Sequence, residues 1–305
     1  MLRGYRRSPS IKPAPISGAV AARHIVERRS PLRVGFVDGW RKTIPGDGMT
    51  RTPAEQSFHL TGKSPPAQSI SLWTAQVDTL LAASSNLNLL DDDDRASLRA
   101  IRSSAQRKSA TGARILLRLS LSLATGRRIP PQQWRFRRTE FGKPFIIDDS
   151  EDVHFSVSHA GSVVMVAVGC DLELGLDVEC LDHPIEETFI GNFCHELEQQ
   201  TLQTLPHAQR QRRDIQLWTQ KEAYSKMLGL GHSLEFSTFN LPWHNQTNEH
   251  HFSKMLVERF YLPLNEGLYY AALVIDRKAR SQAVDIYLQN AVLPGQAACA
   301  LSPSW

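Results

Sequence analysis

The rhythm of apolar and polar positions changes several times along the chain, and each change marks an element. Four consecutive carboxylates, Asp91–Asp94, precede Leu98 and Ile101. Asp91 reads as an N-cap and the next three as first-turn acids at the positive end of a helix dipole, in a helix expected to run to about Ser103. A second helix is expected from about Ser109 to Ala124. Leu116, Leu119 and Leu123 lie at three-to-four spacing on one face, Gly126 stands at the stop position and Pro130-Pro131 ends the unit. The period then becomes two. His154–Ser158 alternates, Val163–Val168 is an unbroken apolar run suited to a buried strand, and Ala160-Gly161-Ser162 connects them. Leu172, Leu174, Leu176 and Val178 alternate with Glu173, Gly175, Asp177 and Glu179, which predicts a half-buried strand. Its last two carboxylates sit on one face, about 6.6–6.8 Å apart along the strand. Helical spacing returns over Glu186–Thr204 and Ile215–Leu228, where Gly229 and Gly231 end the run, and strands are expected at Met255–Tyr261 and Tyr269–Ile275. The succession of helices, hairpin, strand, helices and strands is an α+β mixture, not a repeated βαβ pattern.

Composition alters this picture mainly at the N-terminus. The 305 residues carry a formal charge of +4, with 35 Lys+Arg against 31 Asp+Glu. The first 70 residues hold 12 basic and 4 acidic residues and 8 of the 17 prolines, so the remainder is acidic by about four charges. Residues 1–70 therefore read as a Pro/Arg-rich, poorly ordered leader, with order beginning near Ser71. The prolines spoil the amphipathic helix of an organellar transit peptide, and a dispensable tail, or a true start at Met49, is the plainer expectation. Charge dispersed among prolines does not point to nucleic acid. No run approaches the roughly 18–20 apolar residues of a membrane span. Cys170, Cys180, Cys194 and Cys299 have neither CxxC spacing nor scaffold density, which suits thiols in a reducing, cytoplasmic setting.

Three segments carry candidate chemistry: Ser156-Val157-Ser158-His159, Gly175–Glu179, and the helical stretch Trp218–Lys226. On a helix Trp218, Glu222 and Lys226 share a side. If that side meets Asp177 and Glu179, three carboxylates and an ammonium converge, a set suited to Mg²⁺ and substrate phosphates, with His159 as a further phosphate donor. Taken singly, each segment also fits a blander role: a solvated strand face, a surface Glu–Lys pair, a structural histidine in a turn.

Together with the turn Gly142-Lys143-Pro144, these segments, in order as Phe155-Ser156-Val157-Ser158-His159-Ala160, Gly175-Leu176-Asp177-Val178-Glu179 and Trp218 through Gly231, resemble the Sfp-type 4′-phosphopantetheinyl transferases over about residues 72–276. The resemblance implies a monomer built of two similar α+β halves related by a pseudo-twofold, here 71–174 and 175–290, with 291–305 as a tail. It also implies coenzyme A in the cleft and transfer of its phosphopantetheine arm to a serine of an apo acyl or peptidyl carrier protein of secondary-metabolite (antibiotic) type. By the same resemblance the reaction is expected to depend on Mg²⁺ and to release 3′,5′-ADP. By the same resemblance Asp177, Glu179 and Glu222 are the metal carboxylates, and Lys226 matches the lysine of the pyrophosphate. Ser158 with His159 matches the 3′-phosphate contact, and Lys143-Pro144 the turn beside the adenine. Glu222 and Lys226 both stand as candidates for the base. The family's upstream arginine falls on Ser109, leaving Arg107, Lys108 or Arg114 to supply that charge. The family's usual Asn is Ser156 here. The competing reading is a basic N-terminal nucleic-acid or surface-binding module attached to a non-catalytic coenzyme A-binding domain.

Overall fold

The structure, a computed structural model of the chain, describes residues 34–36, 69–147, 153–183, 185, 187–241, 255–264, 267–276, 285–291 and 302–303. The described residues all belong to one compact unit beginning at Leu32. A short strand β1 (Val34–Phe36) precedes the first half, which comprises β2 (Ser69–Gln76), α1 (Val77–Ala82), α2 (Asp92–Ala100), α3 (Ser104–Ala124), the small hairpin β3 (Phe136–Arg138) and β4 (Pro144–Ile146), and the hairpin β5 (Val153–Ala160) and β6 (Val163–Cys170). The second half comprises β7 (Leu174–Cys180), α4 (Glu187–Phe193), α5 (Glu196–Gln203), α6 (His207–Leu228), β8 (Met255–Leu264) and β9 (Gly267–Asp276). β10 (Asp285–Ala291) and β11 (Ser302–Pro303) follow.

The halves share a topology. In each, the leading strand pairs antiparallel with the second strand of a late hairpin, giving the orders β2-β6-β5 and β7-β9-β8, and one long helix covers each sheet. Strand alternation sorts the core. Val163, Met165 and Ala167 of β6 join Leu174, Leu176 and Val178 of β7 and Ala271, Leu273 and Ile275 of β9 in one cluster shared by both sheets. The intervening Val164, Val166 and Val168 meet Leu116 and Leu121 of α3, while Ala272 and Val274 meet Ile215, Ala223 and Met227 of α6. Each fully buried Val or Leu stabilises the fold by about 1.5–3 kcal/mol relative to exposure.

Several boundaries differ from those read in the sequence. Asp91 does cap α2, its carboxylate accepting from the Asp94 amide at 2.8 Å. α3 begins five residues earlier than expected, because the Ser103 hydroxyl accepts from the Gln106 amide and starts the helix at Ser104. The stretch 186–204 is two helices. The Phe193 carbonyl is turned to the Lys221 ammonium (2.9 Å), and His195 and Glu198 form a capping box that starts α5 afresh. Segment 285–290, grouped with the second half from sequence, pairs as β10 in parallel with β2 and extends the first half's sheet. Of the leader, Val34–Phe36 pair with β10 and Ser69–Ile70 already belong to β2; the rest of it, most of the tail and Cys299 lie outside the described residues. Among the described residues no helix is long and apolar enough to cross a membrane.

Candidate active site

β7 is buried on both faces, not on one. Its apolar side chains enter the shared core, and its other face, carrying Gly175, Asp177 and Glu179, lies directly under α6. A Cβ on Gly175 would stand 2.0 Å from the Ala223 carbonyl oxygen and 2.3 Å from the Met227 amide. The absent side chain is what lets the helix backbone touch the strand. That contact sets Lys226, in the last turn of α6, against Asp177: Nζ lies 2.6 Å from Oδ1. The helix ends one turn later at Gly229, in the left-handed conformation (φ 75°), where the Leu230 amide closes on the Ser225 carbonyl.

β5 supplies the site from its other side. Period two turns Ser156 and Ser158 toward β7, and Val157 and His159 toward a cavity of 540 Å³. The Ser158 hydroxyl donates to Asp177 Oδ1 at 2.7 Å and accepts from Lys226 Nζ at 3.0 Å. Ser156 Oγ accepts from the Leu176 amide at 2.9 Å, stitching the two sheets at their junction. Sequence spacing did not show this; a small hydroxyl two residues before Ser158 on the same strand face was the available signal.

The electrostatics concentrate on the three acids. Burial, then the neighbouring Asp177, pushes the Glu179 carboxyl up to about 7, against the Lys226 charge and a hydrogen bond from the Trp218 indole. Burial and Asp177 likewise raise the Glu222 pKa. Asp177 Oδ2 and Glu222 Oε1 are buried without a hydrogen-bond partner, and His232 Nδ1 lies 3.8 Å from that Glu222 oxygen. Among the described residues no three His, Cys, Asp or Glu side chains stand together as a group ready to hold a metal ion. The donor chemistry nevertheless fits a hard divalent cation. Two orphaned, buried carboxylate oxygens beside a third acid carry more negative charge than the single Lys226 ammonium offsets.

The sequence-derived nucleotide-side residues are dispersed. His159, Pro144 and Arg114 line the cavity with Arg137, Arg138 and Asp94. Arg114 is held there by Asp94 (Nε–Oδ1 3.0 Å) and Ser97. Partial loss of water and the Lys226 charge lower the His159 pKa, with Asp177 opposing them. Lys143 does not enter the cavity. Its Nζ contacts Glu173 (3.2 Å) and donates to the Met227 carbonyl (2.8 Å), tying the β3–β4 turn to the end of α6. Lys108 forms an exposed ion pair with Asp78 away from the cavity lining. Arg107 is likewise not part of the lining; Arg137 and Arg138, not singled out in the sequence, are. Arg118, one turn beyond Arg114, is fully buried between Asp91, Asp94 and the carbonyls of Pro131 and Trp134, so it braces the fold.

Comparison with known proteins gives two adjoining family matches. Residues 71–171 match the family model "4′-phosphopantetheinyl transferase, N-terminal", and residues 167–265 match "4′-phosphopantetheinyl transferase superfamily". The chain belongs to the 4′-phosphopantetheinyl transferase superfamily. The boundary between the two matches falls where β6 hands over to β7, beside the candidate site. Among similar proteins, the 4′-phosphopantetheinyl transferase gsp of Aneurinibacillus migulanus is 32% identical over 111 residues, 36% of this chain and 45% of the relative. Sfp of Bacillus subtilis is 32% identical over 110 residues, 36% and 48% of the two chains. The phosphopantetheinyl transferase of a Thraustochytrium strain is 28% identical over 155 residues, 47% and 53%. The chain thus spans about half the length of the relatives it matches.

Proposed function

We propose that this superfamily member transfers the 4′-phosphopantetheine arm of coenzyme A to a serine hydroxyl of an apo carrier protein, releasing 3′,5′-ADP. The observation that carries the reading is the meeting of Asp177, Glu179, Glu222 and Lys226 from β7 and α6, beside a cavity lined by His159, Arg114, Arg137 and Arg138. Asp177, Glu179 and Glu222 would hold Mg²⁺. Bound there, the ion would neutralise the pyrophosphate of coenzyme A and ease departure of its nucleotide half. The chain's own groups divide the remaining work. His159 and the cavity arginines offer donors to the terminal phosphate. Glu222, its pKa raised and one oxygen unpartnered, is placed to accept the proton of the incoming serine. Lys226 serves as a donor, as it does toward Asp177 and Ser158, so Glu222 is the better base of the two. The reading includes a cytoplasmic setting, supported by the buried free thiols Cys180 and Cys194, and carriers of secondary metabolism, supported by the resemblance alone.

With Mg²⁺, coenzyme A and apo acyl and peptidyl carriers, the carrier is expected to gain about 340 Da by mass spectrometry, the size of the arm a group-carrying cofactor delivers. No gain on any carrier, with protein shown to be folded, would overturn the proposal.

A further inference from the structure

The Asp177 carboxylate is held unevenly. Oδ1 accepts from both the Lys226 ammonium (2.6 Å) and the Ser158 hydroxyl (2.7 Å), and Ser158 accepts in turn from Lys226 (3.0 Å), closing a three-membered ring of hydrogen bonds. Oδ2, buried, has no partner. The two charged partners differ in freedom. The Asp177 side chain is 5% exposed, on a strand locked between two layers, whereas that of Lys226 is 29% exposed, at the open end of α6. Asp177 cannot leave the site; the ammonium can withdraw toward solvent and remain favoured by the C-terminal end of the helix dipole. Glu179 and Glu222 crowd the same spot, while the other basic groups facing it, His159 and His232, are more distant or weakly coupled.

We propose that Lys226 is a resident counter-ion that occupies the cation position at Asp177, that a divalent cation enters by displacing it, and that Ser158 is the positioning residue that keeps the ammonium there beforehand. A buried acid of this kind needs a positive partner to be stable, and Lys226 is the tethered one. Displacement couples two events. The cation arrives at Asp177, and the ammonium is freed toward the solvent-facing side where a pyrophosphate would lie. Metal entry therefore arms the lysine, and the same lysine protects the metal-free site from the repulsion of three clustered acids. The inference rests on the reading of Asp177, Glu179 and Glu222 as the cation's carboxylates, and not on the identity of the transferred group.

The test uses the full chain with MgCl₂ alone, without coenzyme A or carrier. Lysine acetylation by an N-hydroxysuccinimide ester, read by peptide mass spectrometry, is expected to label Lys226 several-fold faster once Mg²⁺ is added, while Lys108 labelling stays constant. Calorimetric titration is expected to show Lys226→Gln binding Mg²⁺ at least tenfold more tightly than the native protein. Ser158→Ala is expected to raise Lys226 labelling without metal. If Lys226→Gln does not fold, the labelling of the native chain decides alone. Unchanged labelling on saturation with Mg²⁺, equal affinity of the folded Lys226→Gln variant, or no Mg²⁺ binding by either protein would overturn the counter-ion exchange. Carrier modification in the separate mass assay would then still stand or fall on its own.

Discussion

Two oxygen atoms, Asp177 Oδ2 and Glu222 Oε1, define the site most sharply, because burying a polar atom without a partner is costly and a fold keeps few of them. Neutralising these acids should uncouple function from stability. Asp177→Asn and Glu222→Gln are expected to reduce transfer at least 10²-fold while the thermal midpoint of the metal-free protein holds for Asp177→Asn and rises for Glu222→Gln, since the latter removes a buried charge whose ion-pair contact, at 3.8 Å, is only with the exposed His232. A midpoint that collapses with activity would assign both acids a structural role. Elsewhere, single residues behave oppositely. Burial, then Glu198, pushes the Cys194 thiol up to about 12. Alkylation with iodoacetamide at neutral pH is expected to spare Cys194 in the native protein and to modify it after denaturation. The four-cysteine count could exclude a disulfide scaffold, but only the surrounding carboxylate and close packing make this thiol inert.

At the scale of elements, the α6–β7 contact decides whether the site exists. Gly175→Ala would drive a methyl into the α6 backbone and is expected to destabilise the protein by about 1–3 kcal/mol, the usual overpacking cost, and to abolish transfer even in the fraction that folds. A thermal midpoint and a transfer rate measured together check this; a fully active variant would refute the contact's role. α6 is anchored a second time by Lys221, fully buried with Glu198 at 2.6 Å and donating to the carbonyls of Phe193, Phe236 and Phe239. Lys221→Met leaves the Glu198 charge buried without its counter-ion, and urea unfolding is expected to show a loss of about 3–5 kcal/mol. The helix periodicity exposed α2, α3 and the second part of α6, and the Val-rich run exposed β6, because packing against one layer imposes those periods. The strand β7 read as half-exposed for a physical reason: alternation of Asp and Glu with apolar residues is the same whether solvent or a helix covers the polar face. The break at Cys194-His195 was equally invisible, since no Gly or Pro marks it and a lysine 28 residues away captures the carbonyl that ends α4.

At the scale of the molecule, the halves are joined by polar contacts as well as by the shared apolar core. Ser156 bridges to β7, and Lys143 links the β3–β4 turn to Glu173 and to the end of α6. Hydrogen bonding to His154, and then the Lys143 charge against the effect of burial, holds the Glu173 carboxyl down at about 2. Its folded pKa lies below its unfolded one, so its stabilisation is present above pH 4.5 and is lost as pH falls toward 2. With a third of the side chain in solvent, that contribution is at most about 1 kcal/mol. Glu173→Gln is expected to lower the thermal midpoint at pH 7 and to match the native protein near pH 2; a difference that persists in acid would disprove the linkage. By itself the sequence determined the α+β succession, most element centres and the acidic balance of the chain beyond residue 70, and it singled out Asp177, Glu179, Glu222, Lys226 and His159 as candidates, because periodicity and motif order are local properties of the chain. Only the tertiary structure decided that Ser158 faces the carboxylates while His159 faces the cavity, that Lys143 and Lys108 are spent on ion pairs, that Arg137 and Arg138 line the cavity, and that β10 returns to the first sheet. Which partner a side chain meets depends on elements far apart in sequence, and no local pattern encodes that approach.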